Sequence, residues 1–197
     1  MTVLPDERWI ALRPALMATL LGAAREVSGE AFDAFLGPSM RSLLTGTFSR
    51  VGAHEGTVWL LDETKSSLIP RFNSGAHAER FVGRFRQSLG SGMISMVAVT
   101  EQSICENEVC RNERQDQSLD HELSVKTWAM LAVPFSYFGE LRGVISCVQL
   151  LPADAAQPPP PGFSPRHLGE LQQVSGLLSR LIEYRLLAQC LGLDALG

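Results

Sequence analysis

The chain has 197 residues, of which 45% are hydrophobic and 19% are charged. This length and composition indicate one ordinary domain with a substantial apolar core, and they exclude a disordered chain. Acidic residues outnumber Lys and Arg by 21 to 17, a net charge of -4, which argues against general nucleic-acid binding because that needs a basic surface. The four cysteines are too few and too scattered for a disulfide scaffold.

The first residues show no basic stretch followed by an apolar run, so no signal peptide is predicted. The longest unbroken apolar stretch, residues 128–135, is far shorter than the roughly 18 to 20 residues that span a bilayer. We therefore expect a soluble, cytoplasmic protein with reduced thiols and no membrane contact.

The N-terminal region is helical in character. Apolar residues recur at spacings of three and four, and Pro14 fits the first turn of a helix, so a helix is predicted from about Arg13 to Ser28. Two further helices are predicted at residues 30–36 and 39–48, separated by Gly37 and Pro38.

The pattern changes after Gly52. Residues 56–61 and 67–72 are rich in strand-forming side chains and flank a polar turn, so they predict a β-hairpin. Residues 76–87 predict a helix with Phe81 and Phe85 on one face. Residues 93–100 are apolar throughout, and their periodicity fits a buried helix or a strand equally well.

Residues 101–123, the acidic segment, contain seven acidic residues, two arginines and two of the four cysteines. The strongest strand pair follows, at residues 126–137 and 141–151 around a tight turn that contains Gly139. Residues 152–165 hold six of the eleven prolines and predict a stiff connector. Ser164 and Pro165 then suit the start of a long apolar helix that runs to about Gln189.

This order of elements predicts an α+β fold with an antiparallel sheet, and it resembles the GAF domain family over about residues 46–184. The matching stretches are residues 56–62, 89–94, 130–135 with Gly139, 141–145, and 163–164. The resemblance implies terminal helices on one side of the sheet and a covering helix and loop on the other. We expect residues 1–50 to form a helical segment that packs with the C-terminal helix, and residues 51–190 to form the GAF-like domain.

The family resemblance also implies a small-molecule site between the sheet and the acidic segment. We predict a polar lid over an apolar floor; the candidate ligand-binding residues are Trp59, Phe72, Cys105, Asn107, Cys110, Arg111, Asp116, His121, Trp128 and Met130. The alternative is a solvated connection whose charges face water. The negative charge of the segment argues against an anionic ligand unless Arg111 and Arg114 turn inward.

Sharper chemical hypotheses find little support in the motifs. Cys105 and Cys110, with His121, do not match the spacing of a zinc site, and no motif implies a cofactor. The motifs of the family's tetrapyrrole-binding and cyclic-nucleotide-binding members are absent. The family also includes free methionine sulfoxide reductases, and thiol chemistry at Cys105 or Cys110 is the alternative function, although the reductase motif is missing and nearby carboxylates raise a thiol pKa.

Two surface features remain. Arg71, Arg80, Arg84 and Arg86 form a basic patch, which fits a solvated helix face better than a site for an acidic partner. Both terminal helices are apolar over more than one face, so we expect them to pack against a second copy of the chain as a helical bundle.

We therefore predict a non-enzymatic sensory or regulatory domain of a bacterial-type signalling protein. It would form a homodimer through its terminal helices; a small molecule or a protein partner would change the tilt of these helices, and an attached output domain would respond to the change. A further alternative is a domain without ligand, used for dimerisation or docking, whose pocket is filled by its own Trp128, Met130 and Phe72.

Overall fold

The computed structural model describes residues 7–154 and 156–193. It contains an antiparallel sheet of six strands in the order β3-β2-β1-β6-β5-β4. The strands are β1 Glu55–Leu61, β2 Ser67–Asn73, β3 Gln87–Ser88, β4 Ile104–Glu106, β5 Thr127–Tyr137 and β6 Glu140–Leu150. The helices are α1 Glu7–Val27, α2 Phe32–Arg50, α3 Ala78–Phe81, α4 Met93–Thr100, α5 Ser118–Leu123 and α6 Pro165–Cys190, with a short 3₁₀ turn at Val109–Arg111.

The two faces of the sheet are covered by different parts of the chain. Helices α1, α2 and α6 pack on one face, the helix side, through residues such as Leu36, Leu44 and Leu178. Helix α4, helix α5 and the segments around them pack on the other face, the covering side, through Val97 and Leu123. The predicted α+β fold, with terminal helices on one side and a covering helix and loop on the other, is confirmed.

The N-terminal helices are longer than predicted. Helix α1 already begins at Glu7 and continues through Pro14, so the prediction that Pro14 lies in the first turn is wrong. A proline inside a helix removes one backbone hydrogen bond. Helix α2 joins the two predicted helices and departs from helical geometry at Gly37, where φ is 62°. Residues 1–6, part of the stretch in which no signal peptide is predicted, lie outside the described residues.

The strand pair β5–β6 is confirmed, and two glycines explain its geometry. Phe138 and Gly139 both have positive φ, as a two-residue hairpin turn requires. Gly143 of β6 pairs with Leu60 of the neighbouring strand β1. A Cβ atom at position 143 would approach the Trp59 carbonyl oxygen to 1.8 Å. A residue larger than glycine therefore cannot occupy position 143 unless the two strands move apart.

The predicted helix at residues 76–87 is wrong. Only α3 is helical there, and the chain then turns at Gly83, where φ is 75° and the amide donates to the Pro70 carbonyl at 2.7 Å. The turn directs β3 back to pair with β2. Residues 93–100, which the sequence left undecided, form helix α4.

Helix α6 begins where the sequence predicts. The Ser164 side chain accepts a hydrogen bond from the His167 amide, and Pro165 occupies the first turn. The helix crosses the helix side of the sheet, and the Ser175 hydroxyl donates to the Pro134 carbonyl at 3.0 Å. No helix among the described residues is long and apolar enough to cross a bilayer.

Candidate functional site

The covering side of the sheet is filled by the protein's own side chains. Trp59, in the middle of β1, is only 2% exposed, and its indole nitrogen donates to the Ser146 hydroxyl at 2.9 Å. The rings of Phe81 and Phe85 lie 6.4 and 6.3 Å from the Trp59 ring. The predicted floor residue Trp59 is therefore buried beneath an aromatic cluster.

Hydrogen bonds to Asp116 hold the acidic segment over this face of the sheet. One carboxylate oxygen accepts from Gln87 Nε2 and from the Ser91 hydroxyl, both at 3.0 Å. The other oxygen accepts from the Ser118 amide at 2.9 Å. Asp116 therefore joins the acidic segment to the glycine-containing turn before α4, because it accepts hydrogen bonds from both.

Arg80, which was predicted to lie in a solvated basic patch, also holds the acidic segment in place by hydrogen bonds. Its guanidinium donates to the Glu122 carbonyl at 2.6 Å and to the Leu123 carbonyl at 3.5 Å. These carbonyls belong to the last turn of α5, where backbone oxygens lack partners within the helix. This role could not be predicted from the sequence, because Arg80 and α5 are about 40 residues apart in the chain.

The sequence analysis did not predict a polar cluster at the edge of the covering side, in which Thr127 is buried and Asp120 and Gln115 are half-buried. The Asp120 carboxylate accepts from the amide and hydroxyl of Thr127, each at 2.8 Å, and from Gln115 Nε2 at 3.2 Å. Glu55 is also buried, and burial raises the pKa of its carboxyl while the charge of His77 opposes the rise. The sequence feature that could have indicated this cluster is Glu55, an acidic residue at the start of an apolar strand.

This cluster is chemically suited to a hydrogen-bond donor. Gln115 Oε1 is buried and has no hydrogen-bond partner. The Asp120 charge also acts to raise the pKa of Glu55. Two carboxyl groups and a free carbonyl oxygen favour an amine or another cation over an anion, in line with the sign predicted from the acidic segment.

The sheet separates the predicted floor residues. Met130 lies on the covering side with Met93 and Val109, whereas Phe72 and Trp128 pack against the core of the helix side. The expected grouping of Trp59, Trp128 and Met130 on one floor is therefore wrong. The pairing of β5 with β6 shifts between Thr127 and Ala129, and a bulge of this kind interrupts the alternation that would place residues 128 and 130 on the same face.

The predicted lid residues are dispersed as well. Asn107 exchanges two hydrogen bonds with the Phe163 backbone, at 2.8 and 3.0 Å, and so fixes the approach to α6. Arg111 is 74% exposed and pairs with Glu108 at a shallow cavity of about 510 Å³ on the outer surface of the segment. His121 is exposed on α5, and Cys110 is half-buried in the 3₁₀ turn.

Cys105 is placed poorly for thiol chemistry. Cys105 lies opposite Leu131 in the β4–β5 pair and packs against the helix side. Burial raises the pKa of the Cys105 thiol, and the neighbouring Glu106 raises it further. A catalytic thiol needs a lowered pKa and access to its substrate, and Cys105 has neither the pKa shift nor the open position.

Asp116 makes the stability of the covering segment depend on pH. Hydrogen bonds from Ser118, and then from Gln87 and Ser91, lower the pKa of Asp116 to about 2 despite partial burial. This carboxylate therefore stabilises the fold above its unfolded-state pKa, and the contribution is lost as the pH falls through about 2. We expect Asp116→Asn to cost about 1 kcal/mol at neutral pH, reduced by solvent screening, and the difference from wild type to disappear between about pH 4 and pH 2.

Urea unfolding of both proteins across this pH range measures the effect. Glu113→Gln, which removes an exposed carboxylate from the same segment, is the matched control and should follow wild type. A constant difference between Asp116→Asn and wild type from neutral pH to pH 2 would contradict the prediction.

An apolar seam lies exposed on α6, away from the sheet. Leu177 and Leu191 are each 46% exposed and Tyr184 is 68% exposed. Together with the half-buried Leu181 and Ala188 they follow one another at alternate spacings of four and three, which is the pattern of a coiled-coil seam. The first half of α1 is also exposed, and it carries Trp9, Ile10, Leu12 and Met17.

Comparison with known proteins identifies one family. The sequence model of the GAF domain matches residues 40–183. No curated protein matches the chain.

Solved structures show the same fold. The GAF domain of an Acinetobacter phosphoenolpyruvate-protein phosphotransferase is 19% identical, with a TM-score of 0.58 over 90% of this chain and 97% of that one. The corresponding domain from Coxiella burnetii is 17% identical, with a TM-score of 0.63 over 90% and 96%. A type II free methionine-R-sulfoxide reductase from Thermoplasma acidophilum is 16% identical, with a TM-score of 0.58 over 77% and 95%.

Proposed function

The chain belongs to the GAF domain family, and on that premise we propose that it is a non-catalytic regulatory module that dimerises through its terminal helices. The observation that carries the proposal is the exposed seam of α6. Leu177 and Tyr184 lie one heptad apart on α6, and Leu191 follows one heptad later at the C-cap, while the opposite face of the helix is buried on the sheet. Large exposed side chains in such a row favour an interface over a solvated surface.

The occupant that fits this seam is a second copy of the chain. A twofold axis places the same seam on both partners, so that each α6 packs along the other. The exposed half of α1 extends the apolar surface, because Leu16 and Leu20 of α1 pack into the same core as α6. A change in the tilt of these helices would then reach an attached output domain or a protein partner.

The covering side supports a regulatory function over an enzymatic one. Its centre is closed by Trp59, Phe81 and Phe85, and burial raises the pKa of the Cys105 thiol. The ligand class that suits this face is a small amine, bound near Glu55 and Asp120 after the covering segment opens. The closed face also fits a domain without ligand. Of Trp128, Met130 and Phe72, which were expected to fill the pocket, only Met130 lies on the covering side.

Sedimentation velocity of the wild-type protein at micromolar concentration tests the proposal directly. We expect a dimer whose dissociation follows dilution. A strict monomer at these concentrations would remove the proposed mechanism.

A thiol-dependent reductase is the second candidate, since two free methionine-R-sulfoxide reductases share the fold. We expect no turnover of free methionine sulfoxide with dithiothreitol above a protein-free control, because the pKa of the Cys105 thiol is raised and its side chain faces the helix side. The assay uses wild type, Cys105→Ser and Cys110→Ser. Wild-type turnover that is lost in either variant would overturn the regulatory proposal.

A further inference from the structure

A cavity of about 1,060 Å³ opens on the helix side of the sheet, opposite the covering side. It is bounded by the last turn of α1, the α1–α2 connection, the turn that joins β1 to β2, and residues of β2 and the start of β6. Its size is at the upper end of the range for small-molecule sites, about 300–1,000 Å³. Neither the dimer seam nor the acidic segment contributes to it.

Arg142 is a buried cation in the wall of this cavity. Its side chain is 7% exposed, and its guanidinium lies 5.1 Å from the centre of the Tyr137 ring. Nη2 is 3.2 Å from a Glu140 carboxylate oxygen, but neither Nη2 nor Nε makes a hydrogen bond. Buried N–H groups are rarely left without an acceptor, so this arginine has hydrogen-bonding capacity that the protein does not use.

Arg71 presents a second unused N–H group to the same cavity. Its Nε is buried without a hydrogen-bond partner. Burial lowers the pKa of Arg71, and the nearby Arg86 lowers it too, whereas Glu30 opposes the shift. An additional negative group beside Arg71 would therefore relieve an unfavourable arrangement.

The charges that line the cavity are balanced, and two ion pairs form among them, Arg86 with Asp62 and Arg142 with Glu140. Five basic and five acidic residues line it: Arg25, Lys65, Arg71, Arg86 and Arg142, with Glu26, Glu30, Asp62, Glu63 and Glu140. Asp62 accepts hydrogen bonds from the Ser66 and Ser67 amides and lies 3.6 Å from Arg86. The buried N–H groups of Arg71 and Arg142 that have no hydrogen-bond partner therefore favour a ligand that brings a hydrogen-bond acceptor.

We propose that this cavity binds a small organic oxyanion, whose carboxylate or phosphate group is held by Arg71 and Arg142. Guanidinium groups match the geometry of both anions. Ile69 lines the cavity and provides apolar surface for the body of the molecule. Because Arg25 and Glu26 of α1 line the cavity, the ligand would contact the helix that leads to the proposed dimer surface.

The test is an NMR titration of the whole chain, in which the arginine Nε–Hε signals are followed at constant ionic strength. The probes are phenyl phosphate and benzoate, with benzamide as the uncharged probe. We expect saturable shifts of the Arg71 and Arg142 signals with a Kd of about 1 mM or tighter for at least one anion. Saturation by phenyl phosphate alone assigns a phosphate ligand, and saturation by benzoate alone assigns a carboxylate.

Variants separate this site from general attraction of anions to the surface. Arg71→Met should weaken binding at least about tenfold, whereas Arg111→Met, at an exposed arginine far from the cavity, should leave it unchanged. Equal affinity in Arg71→Met and wild type, equal shifts with benzamide, or no saturation up to about 20 mM would each overturn the proposal. Arg71→Met carries the test because loss of the buried Arg142 side chain could unfold the protein. The titration reports binding itself, so its result is independent of whether the protein dimerises.

Discussion

Glutamate at Leu177 and Tyr184 should convert the proposed dimer into a monomer. Both side chains are exposed on α6, and in the dimer they would be buried against the same residues of a second chain. Burial of unpaired carboxylates in an apolar interface is costly, and central apolar residues carry most of the binding energy of such interfaces. We expect the double variant to weaken self-association by about 100-fold or more.

Sedimentation velocity over a dilution series measures this change. The control is Gln189→Glu, which adds one glutamate charge to an exposed position of α6 outside the seam. The control should remain dimeric, and the double variant should keep the circular dichroism spectrum of the wild type. A double variant that dimerises as tightly as the control would show that the seam is not the interface.

The substitution Trp59→Ala should lower the free energy of unfolding by about 3–5 kcal/mol, as removal of a large buried aromatic side chain does. The indole lies against Phe81 and Phe85, and its nitrogen donates to Ser146. The truncation therefore removes apolar contacts from the centre of the covering side, and the Ser146 hydroxyl loses its partner.

Urea unfolding gives the free energy of unfolding for this comparison. Val99→Ala, at an exposed position of the covering helix α4, is the control and should cost less than about 0.5 kcal/mol. A cost below about 1 kcal/mol for Trp59→Ala would contradict the closed packing of the covering side. That result would favour an open pocket at this face in solution, as the sequence predicted.

The two arginines of the proposed anion site are far apart in the sequence. Arg71 belongs to β2 and Arg142 to β6, with β1 between them in the sheet. The sequence grouped Arg71 with Arg80, Arg84 and Arg86 because they are neighbours in the chain. In the structure Arg80 instead caps α5, while Arg71 and Arg86 line the cavity on the helix side.

The sequence by itself determined the elements that depend on local patterns. The β5–β6 hairpin follows from two apolar strands and a glycine turn, and α6 follows from Ser164, Pro165 and a regular apolar stripe. The GAF fold follows from the order of these elements. The exposed apolar surface of the terminal helices was also predicted, because the composition contains more apolar residues than one small sheet can bury.

Only the tertiary structure decided which side of the sheet each candidate residue occupies. A single bulge after Thr127 places Trp128 on the helix side. Gly83, which has a positive φ, interrupts the predicted helix and turns the chain towards β3. Both depend on pairing with strands that are distant in the chain, which periodicity within a segment does not contain. The predicted site was therefore divided between two faces, and the unused donors of Arg71 and Arg142 emerged only once their surroundings were assembled.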